Sequence, residues 1–258
     1  MSPRTALLFA ASLTCAGAGA GDIPRAERRS GYDLMSRETR AIQDDDATNP
    51  GMLWVLDGEA LWNRKSGAAD RACAACHGDA RTSMKGVAAR YPAFDAALGR
   101  PVNLEQRINV CRTERQKAPP LAFESRELLA LTAYVARQSR GLPIDIAIDA
   151  RSKPFLDAGS EAFHHRQGQL NLACSQCHDD NWGKRLAGSV IPQAHPTGYP
   201  LYRLEWQELG SLGRRMRNCL IGIRAEPYAY GAPEFVDLEL YLMWRANGMK
   251  METPAVRP

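Results

Sequence analysis

Three things are scarce in this 258-residue sequence: long apolar runs, a bias of charge, and strand-like alternation. Beyond the first twenty residues no stretch approaches the roughly 18 consecutive apolar residues of a membrane-spanning helix, so no span is expected. The net charge is +4, from 33 basic and 29 acidic residues, too small a bias to point to nucleic acid. Alternating apolar and polar positions are almost absent, which argues against a β-sandwich or barrel and for a mainly α chain.

The apolar residues that do run together stand at the start. Residues 1–20 hold one basic residue, Arg4, then an apolar run from Ala6 to Leu13 and the small residues Ala18, Gly19 and Ala20. That is the pattern of a secretory signal peptide, removed on export. Cys15 would leave with it, and Leu13 stands one position away from where a lipoprotein signal wants it. The mature chain, about 238 residues, then keeps six cysteines: Cys73, Cys76, Cys111, Cys174, Cys177 and Cys219.

Four of these fall in two C-x-x-C-H motifs, Cys73 to His77 and Cys174 to His178. The spacing is chemical. Two thiols three positions apart can add to the two vinyl groups of one haem, and the next histidine reaches the iron as its proximal ligand. Two covalently bound haem c groups are therefore expected, on Cys73 and Cys76 with His77, and on Cys174 and Cys177 with His178.

The chain also says the same thing twice, as an internal repeat would. Residues 59–64 before the first motif resemble residues 161–166 before the second. Tyr91-Pro92 and Tyr199-Pro200 each begin 20 residues before a leftover cysteine, Cys111 and Cys219. Each half closes with a helix, marked by Leu128, Leu131 and Val135 on one face and by Phe235, Leu238 and Leu242 on the other copy. Ser125 can cap the first of these, Pro233 suits a first turn, and Gly141 and Gly248 follow as stops. The expected fold is mainly α, two tandem cytochrome c domains related by internal repeat. Residues 50–150 form the first and 151–258 the second, joined around Pro143 to Pro154. The stretch before the turn at Asn49-Pro50-Gly51, residues 21–49, is an extension with one short helix, read as a docking arm or a solvated face.

The leftover cysteines have two readings. In an oxidising compartment a Cys111–Cys219 disulfide is the plain alternative. It would have to join equivalent positions of separate domains, each expected to lie against its own haem. Thiolate ligation of each iron, Cys111 opposite His77 and Cys219 opposite His178, leaves no odd thiol. Met216, three residues before Cys219, is the main rival as sixth ligand. Four arginines, Arg214, Arg215, Arg217 and Arg224, surround Cys219. Arg215 stands one helical turn before it, where a planar guanidinium could hold an oxyanion beside the sulfur. Arg214 and Arg217 suit a surface charge or a haem-propionate partner.

Residues 106–112, residues 214–220 with Arg224 to Tyr228, and residues 238–241 with Pro254 to Arg257 resemble the SoxA family. This is the dihaem subunit of the SoxAX cytochrome complex of periplasmic sulfur oxidation. The resemblance runs from about residue 50 to the C-terminus. It implies an L-cysteine S-thiosulfotransferase that oxidatively couples thiosulfate to a cysteine of the SoxYZ sulfur carrier and sends two electrons out through haem. Cys219 would be catalytic, as haem ligand and persulfide, and Arg215 would bind substrate. The implied partners are the monohaem cytochrome SoxX, SoxYZ and an electron-accepting cytochrome c. The residues alone leave two other readings open: a dihaem electron-transfer protein without a substrate, and a thiosulfate dehydrogenase that forms tetrathionate.

Overall fold

In the computed structural model, which describes residues 23–258, the repeat appears as two crossed helix pairs; the leader expected in residues 1–20 lies outside the described residues. The helices in chain order are α1 (Arg37–Asp44), α2 (Met52–Asn63), α3 (Ala74–His77), α4 (Ala80–Ser83), α5 (Leu104–Cys111) and α6 (Arg126–Arg137). The second half adds α7 (Lys153–His164), α8 (Cys174–His178), α9 (Leu212–Gly222) and α10 (Pro233–Arg245). In the first half α2 packs on α6, and in the second α7 packs on α10. A glycine sits at each crossing. A Cβ on Gly58 would stand 2.1 Å from the Ala130 carbonyl oxygen, and one on Gly159 2.0 Å from that of Asp237. Only a residue without a side chain lets the backbones approach so closely.

These glycines fix the register of the repeat. Each stands 15 residues before the first cysteine of its motif, which pairs Trp62 with Phe163. Both are buried against a tyrosine of the closing helix, Trp62 at 6.0 Å from Tyr134 and Phe163 at 5.5 Å from Tyr241 between ring centroids. The sequence alignment of residues 59–64 with 161–166 is thus one position off, because it matched Glu59 to Glu161 instead of the buried face.

The closing helices carry the expected signals. Ser125 accepts a hydrogen bond from the Leu128 N–H, and Pro233 occupies the first turn of α10. Leu128, Leu131, Val135, Phe235, Leu238 and Leu242 are all buried. Both helices end before their glycines; α6 stops at Arg137, and further turns lead to Gly141 at φ 81°.

After each Tyr-Pro the chain makes a short hairpin that periodicity did not reveal, since its strands are three residues long. Ala93–Asp95 pairs antiparallel with Arg100–Val102, and Leu201–Arg203 with Glu208–Gly210. The second hairpin gains a parallel strand, Val256–Arg257. A further two-stranded turn, Arg185–Leu186 with Ser189–Val190, lies between α8 and Tyr199.

One apolar core crosses both halves, joining Ala88, Ala89 and Ala136 to Leu156, Phe163, Met216 and Leu240. The connecting segment belongs to that core: Ile144 and Ile146 are buried, and the Ile144 N–H donates to the Met249 carbonyl. The N-terminal extension is anchored as well. The Arg29 N–H donates to Gln193, Ser30 to Glu252, and Arg140 and Arg137 clasp Asp46. These bonds hold residues 28–46 against both halves, with Ser30, Met35, Thr39 and Gln43 buried and Arg37, Glu38, Ala41 and Asp44 exposed on the outer face. No helix among the described residues is long and apolar enough to cross a membrane.

Candidate active site

Each C-x-x-C-H motif opens a helical turn, α3 or α8, placed by the crossed pair behind it. Three neighbours hold the second motif. Gln176 accepts a hydrogen bond from the Ala173 N–H at 2.9 Å, Asn181 donates to the Gln176 carbonyl, and the Nδ1 of His178 lies 2.6 Å from the Pro192 carbonyl oxygen. A Nδ1–H bonded to that carbonyl leaves Nε2 as the lone-pair nitrogen, the arrangement of metal-bound histidines. Burial lowers the His178 pKa, which favours the neutral ring. In the first motif the His77 ring leans on Trp62 at 5.6 Å, and the Trp62 indole N–H donates to the Gly78 carbonyl.

The two leftover cysteines come from the same place in each half. α5 begins at Asn103, which caps it with Gln106 in a reciprocal box, and ends at Cys111. α9 begins at Ser211, whose hydroxyl accepts the Arg214 N–H, and carries Cys219 two turns on. None of the six cysteines of the described residues is joined in a disulfide, so the Cys111–Cys219 bridge is not formed. Cys111 lies within electrostatic reach of Cys73 and Cys76, and Cys219 of Cys174 and Cys177. Burial raises the Cys111 thiol and pushes Cys174 up to about 11.

The donor sets fit a c-type haem in each half: two thiols one turn apart, a histidine after them, a further thiol facing the same motif, and an apolar wall. In the second half Tyr199, Ile223, Ala225 and Trp244 pack with Cys174 on the core. Met216 is part of the buried core against which Cys174 packs. It is 7% exposed on the α9 face that carries Leu212 and Leu220 into the core. The face of Arg215 and Cys219 is the adjacent one.

The arginines around Cys219 separate. Arg214 donates to Glu208 at 2.8 Å and lies over the Trp206 ring. Arg217 donates to the Tyr228 carbonyl and lies over Tyr230. Arg224 is exposed beyond the end of α9. Arg215, like Arg224, keeps its guanidinium without a hydrogen bond or ion pair among the described residues, but of the two only Arg215 stands on α9, within reach of the charges of His178, Tyr199 and Arg203. Its counterpart four residues before Cys111, Arg107, is bonded to Asp95 instead. The dense arginine cluster suggested by the sequence therefore reduces to one free guanidinium on α9.

Sequence reasoning missed Arg203. It follows Tyr199 by four residues, as Asp95 follows Tyr91, so the Tyr-Pro repeat itself carried the signal. Its side chain is 12% exposed, pairs with Glu205 at 3.1 Å and keeps a buried Nε without a hydrogen-bond partner. Burial, then the like charge of Arg215, lowers its pKa.

A family model described as SoxA/TsdA, cytochrome c domain, matches residues 57–144 and 158–251. The L-cysteine S-thiosulfotransferase subunit SoxA of Pseudaminobacter salicylatoxidans is 40% identical over 235 residues, 91% of this chain and 82% of that protein. The subunit of the same name from Rhodovulum sulfidophilum is 38% identical over 231 residues, covering 90% and 80%. Among solved structures, the crystal structure of SoxXA from P. pantotrophus superposes with a TM-score of 0.86 at 32% identity, covering 90% of this chain and 87% of that chain.

Proposed function

Because the chain belongs to the SoxA/TsdA cytochrome c family, we propose that it is the SoxA-type subunit of an L-cysteine S-thiosulfotransferase, acting in the periplasm with a SoxX-type monohaem partner. The reaction joins the sulfane sulfur of thiosulfate to a cysteine thiol of a SoxYZ-type carrier. One S–S bond forms, one S–H bond breaks, and one proton and two electrons leave. Haem c, when bound, supplies the one-electron acceptors that this oxidation needs and passes the electrons to an acceptor cytochrome.

Cys73 and Cys76 would hold one haem with His77 and Cys111 as ligands; Cys174 and Cys177 would hold the other with His178 and Cys219. Arg215 binds the sulfonate end of thiosulfate through its planar fork and sets the sulfane sulfur toward Cys219. The outer sulfur of Cys219, thiolate or persulfide, would form an S–S bond to the sulfane sulfur of thiosulfate as the two electrons leave, and the deprotonated carrier thiol would then attack that sulfane sulfur, breaking the bond to Cys219 and releasing the Cys219 sulfur as the anion.

The observation that carries this reading is Arg215, an uncommitted guanidinium one turn before a free thiol beside the second haem motif. The test is to incubate the holoprotein and its partner with thiosulfate and an electron acceptor, with and without a carrier thiol. A carrier conjugate bearing the added mass of thiosulfate supports the proposal. Tetrathionate in both arms would make it a thiosulfate dehydrogenase, and no turnover in either would leave electron transfer alone.

A further inference from the structure

The two halves differ in charge at one position of the hairpin. Asp95 closes the strand Ala93–Asp95 and pairs across to Arg100; Arg203 closes Leu201–Arg203 and pairs across to Glu208. Each follows its Tyr-Pro by the same interval; Asp95 meets Arg107 on α5, and Arg203 lies within electrostatic reach of Arg215 and Cys219 on α9. In the first half the carboxylate of Asp95 takes the guanidinium of Arg107. In the second the same contact would set Arg203 against Arg215, and no carboxylate takes the guanidinium of Arg215 among the described residues. Two like charges held near one another out of water repel, which is tolerated where a dianion is to come between them.

Three features show that Arg203 is placed and not merely present. Its backbone is tied on both sides, to Glu208 antiparallel and to Arg257 parallel, so the side chain starts from a rigid strand. The side chain is seven-eighths buried, with its guanidinium over the Trp206 ring at 5.3 Å. Its Nε–H is buried without an acceptor, while the terminal amino group reaches Glu205 at the rim. A buried N–H left unmade is costly unless something supplies the oxygen.

We propose that Arg203 is a second oxyanion-binding residue, forming with Arg215 a two-guanidinium clamp for a dianionic sulfur oxyanion at Cys219, and that Asp95 cancels the equivalent clamp at Cys111. This rests on the reading of Cys219 and Arg215 as the thiosulfate site. Arg203 supplies the Nε–H from the strand side, Arg215 its fork from the helix side, and Glu205 competes for the outer edge of Arg203. The clamp selects doubly charged oxyanions over singly charged ones. The first site, with its arginine neutralised, takes no such anion.

The test measures equilibrium binding of thiosulfate by calorimetry on the holoprotein reduced with titanium(III), where no acceptor is present, beside the KM for thiosulfate in turnover. Arg203→Gln should raise the dissociation constant and the KM about ten-fold or more, with the haem absorption and melting temperature kept. Arg203→Lys should recover part of the loss, since it restores charge without the fork. Glu205→Gln, at an exposed rim position, should tighten binding about two-fold at low salt, an effect that a purely structural arginine would not give. Unchanged binding in Arg203→Gln while Arg215→Gln weakens it would overturn the clamp and leave the site. Unchanged binding in both would overturn the site itself. Should Arg203→Gln fail to load haem, Glu205→Gln decides: an unaltered affinity overturns the clamp.

Discussion

Gly159 on α7 meets Asp237 on α10 backbone to backbone, with room for no Cβ: one built there would stand 2.0 Å from the Asp237 carbonyl oxygen and 2.9 Å from the Tyr241 Cβ. The crossing sets where α8, and hence the second C-x-x-C-H motif, leaves the helix pair. Gly159→Ala should therefore destabilise the holoprotein by roughly 1–3 kcal/mol or more, although alanine is the better helix former by about 1 kcal/mol at an exposed position. Gly58→Ala should do the same in the first half. Thermal unfolding followed at the haem absorption reads both, and a raised melting temperature in either would show that the crossing is looser than described.

Much of this was legible in the sequence, because the motifs are fixed by chemistry and the closing helices by burial. The spacing from Cys73 to His77 and from Cys174 to His178 is that of a c-type haem attachment site. Leu128, Leu131 and Val135 reveal their helix because three residues on one face must meet the core. What escaped the reading depends on partners distant in sequence. Nothing local distinguishes Arg214 and Arg217 from Arg215; only Glu208, Trp206, Tyr228 and Tyr230, brought in by the fold, take the first two out of the site. Arg203 sits on a strand too short to show a period, and its meaning appears only against Asp95.

A carboxylate cluster between the halves makes stability depend on pH. Glu239 on α10 and Glu105 on α5 line a cavity of about 60 Å³, and Glu239 accepts a hydrogen bond from Asn103. Burial raises Glu239 to about 7 from its ordinary 4.5, and holds Glu105 well above its usual value. Below the ordinary value both folded and unfolded chains carry the proton; as pH rises toward about 7 the unfolded chain releases it first, so stability falls across that window. Glu239→Gln should remove part of the slope and stabilise the protein at pH 8 by up to about 3 kcal/mol. Denaturant titrations from pH 4 to 8 check it, and an unchanged slope would place the proton elsewhere.

Met216 lies in the core, while His178 has its Nδ1 on the Pro192 carbonyl. Low-spin spectra of histidine–thiolate type are therefore expected at the second haem. Met216→Leu should leave them unaltered. A methionine-to-iron charge-transfer band that disappears in this variant would end the thiolate assignment.

Arg215 and Arg217 are two residues apart and should behave differently. Arg215→Ala removes a charge-assisted contact of roughly 1.5–3 kcal/mol and should raise the KM for thiosulfate about ten- to a hundred-fold, with haem spectra intact. Arg217→Ala loses a bond to the Tyr228 carbonyl and the face of Tyr230, and should cost about 1 kcal/mol of stability with little change in KM. Equal kinetic losses would point to diffuse steering by charge instead of a defined contact.

Cys111 and Cys219 are the pair that the repeat makes alike and the surroundings make different. Each lies on the helix after its hairpin, beside its own motif, with an arginine four residues before it. At Cys111 that arginine is held by Asp95; at Cys219 it is free. A dianion should then settle at Cys219, and sulfur chemistry should follow it there. Cys219→Ser should abolish turnover, and mass spectrometry of the unsubstituted protein should find added sulfur on Cys219 that cyanide or a reductant removes. Cys111→Ser should shift the spectrum and potential of the first haem yet keep substantial activity. Asp95→Ala should free Arg107 without moving the sulfur, because position 95 would still lack the second guanidinium that Arg203 brings to Cys219. Added sulfur on Cys111, with Cys219 dispensable, would put the active site in the first half of the chain.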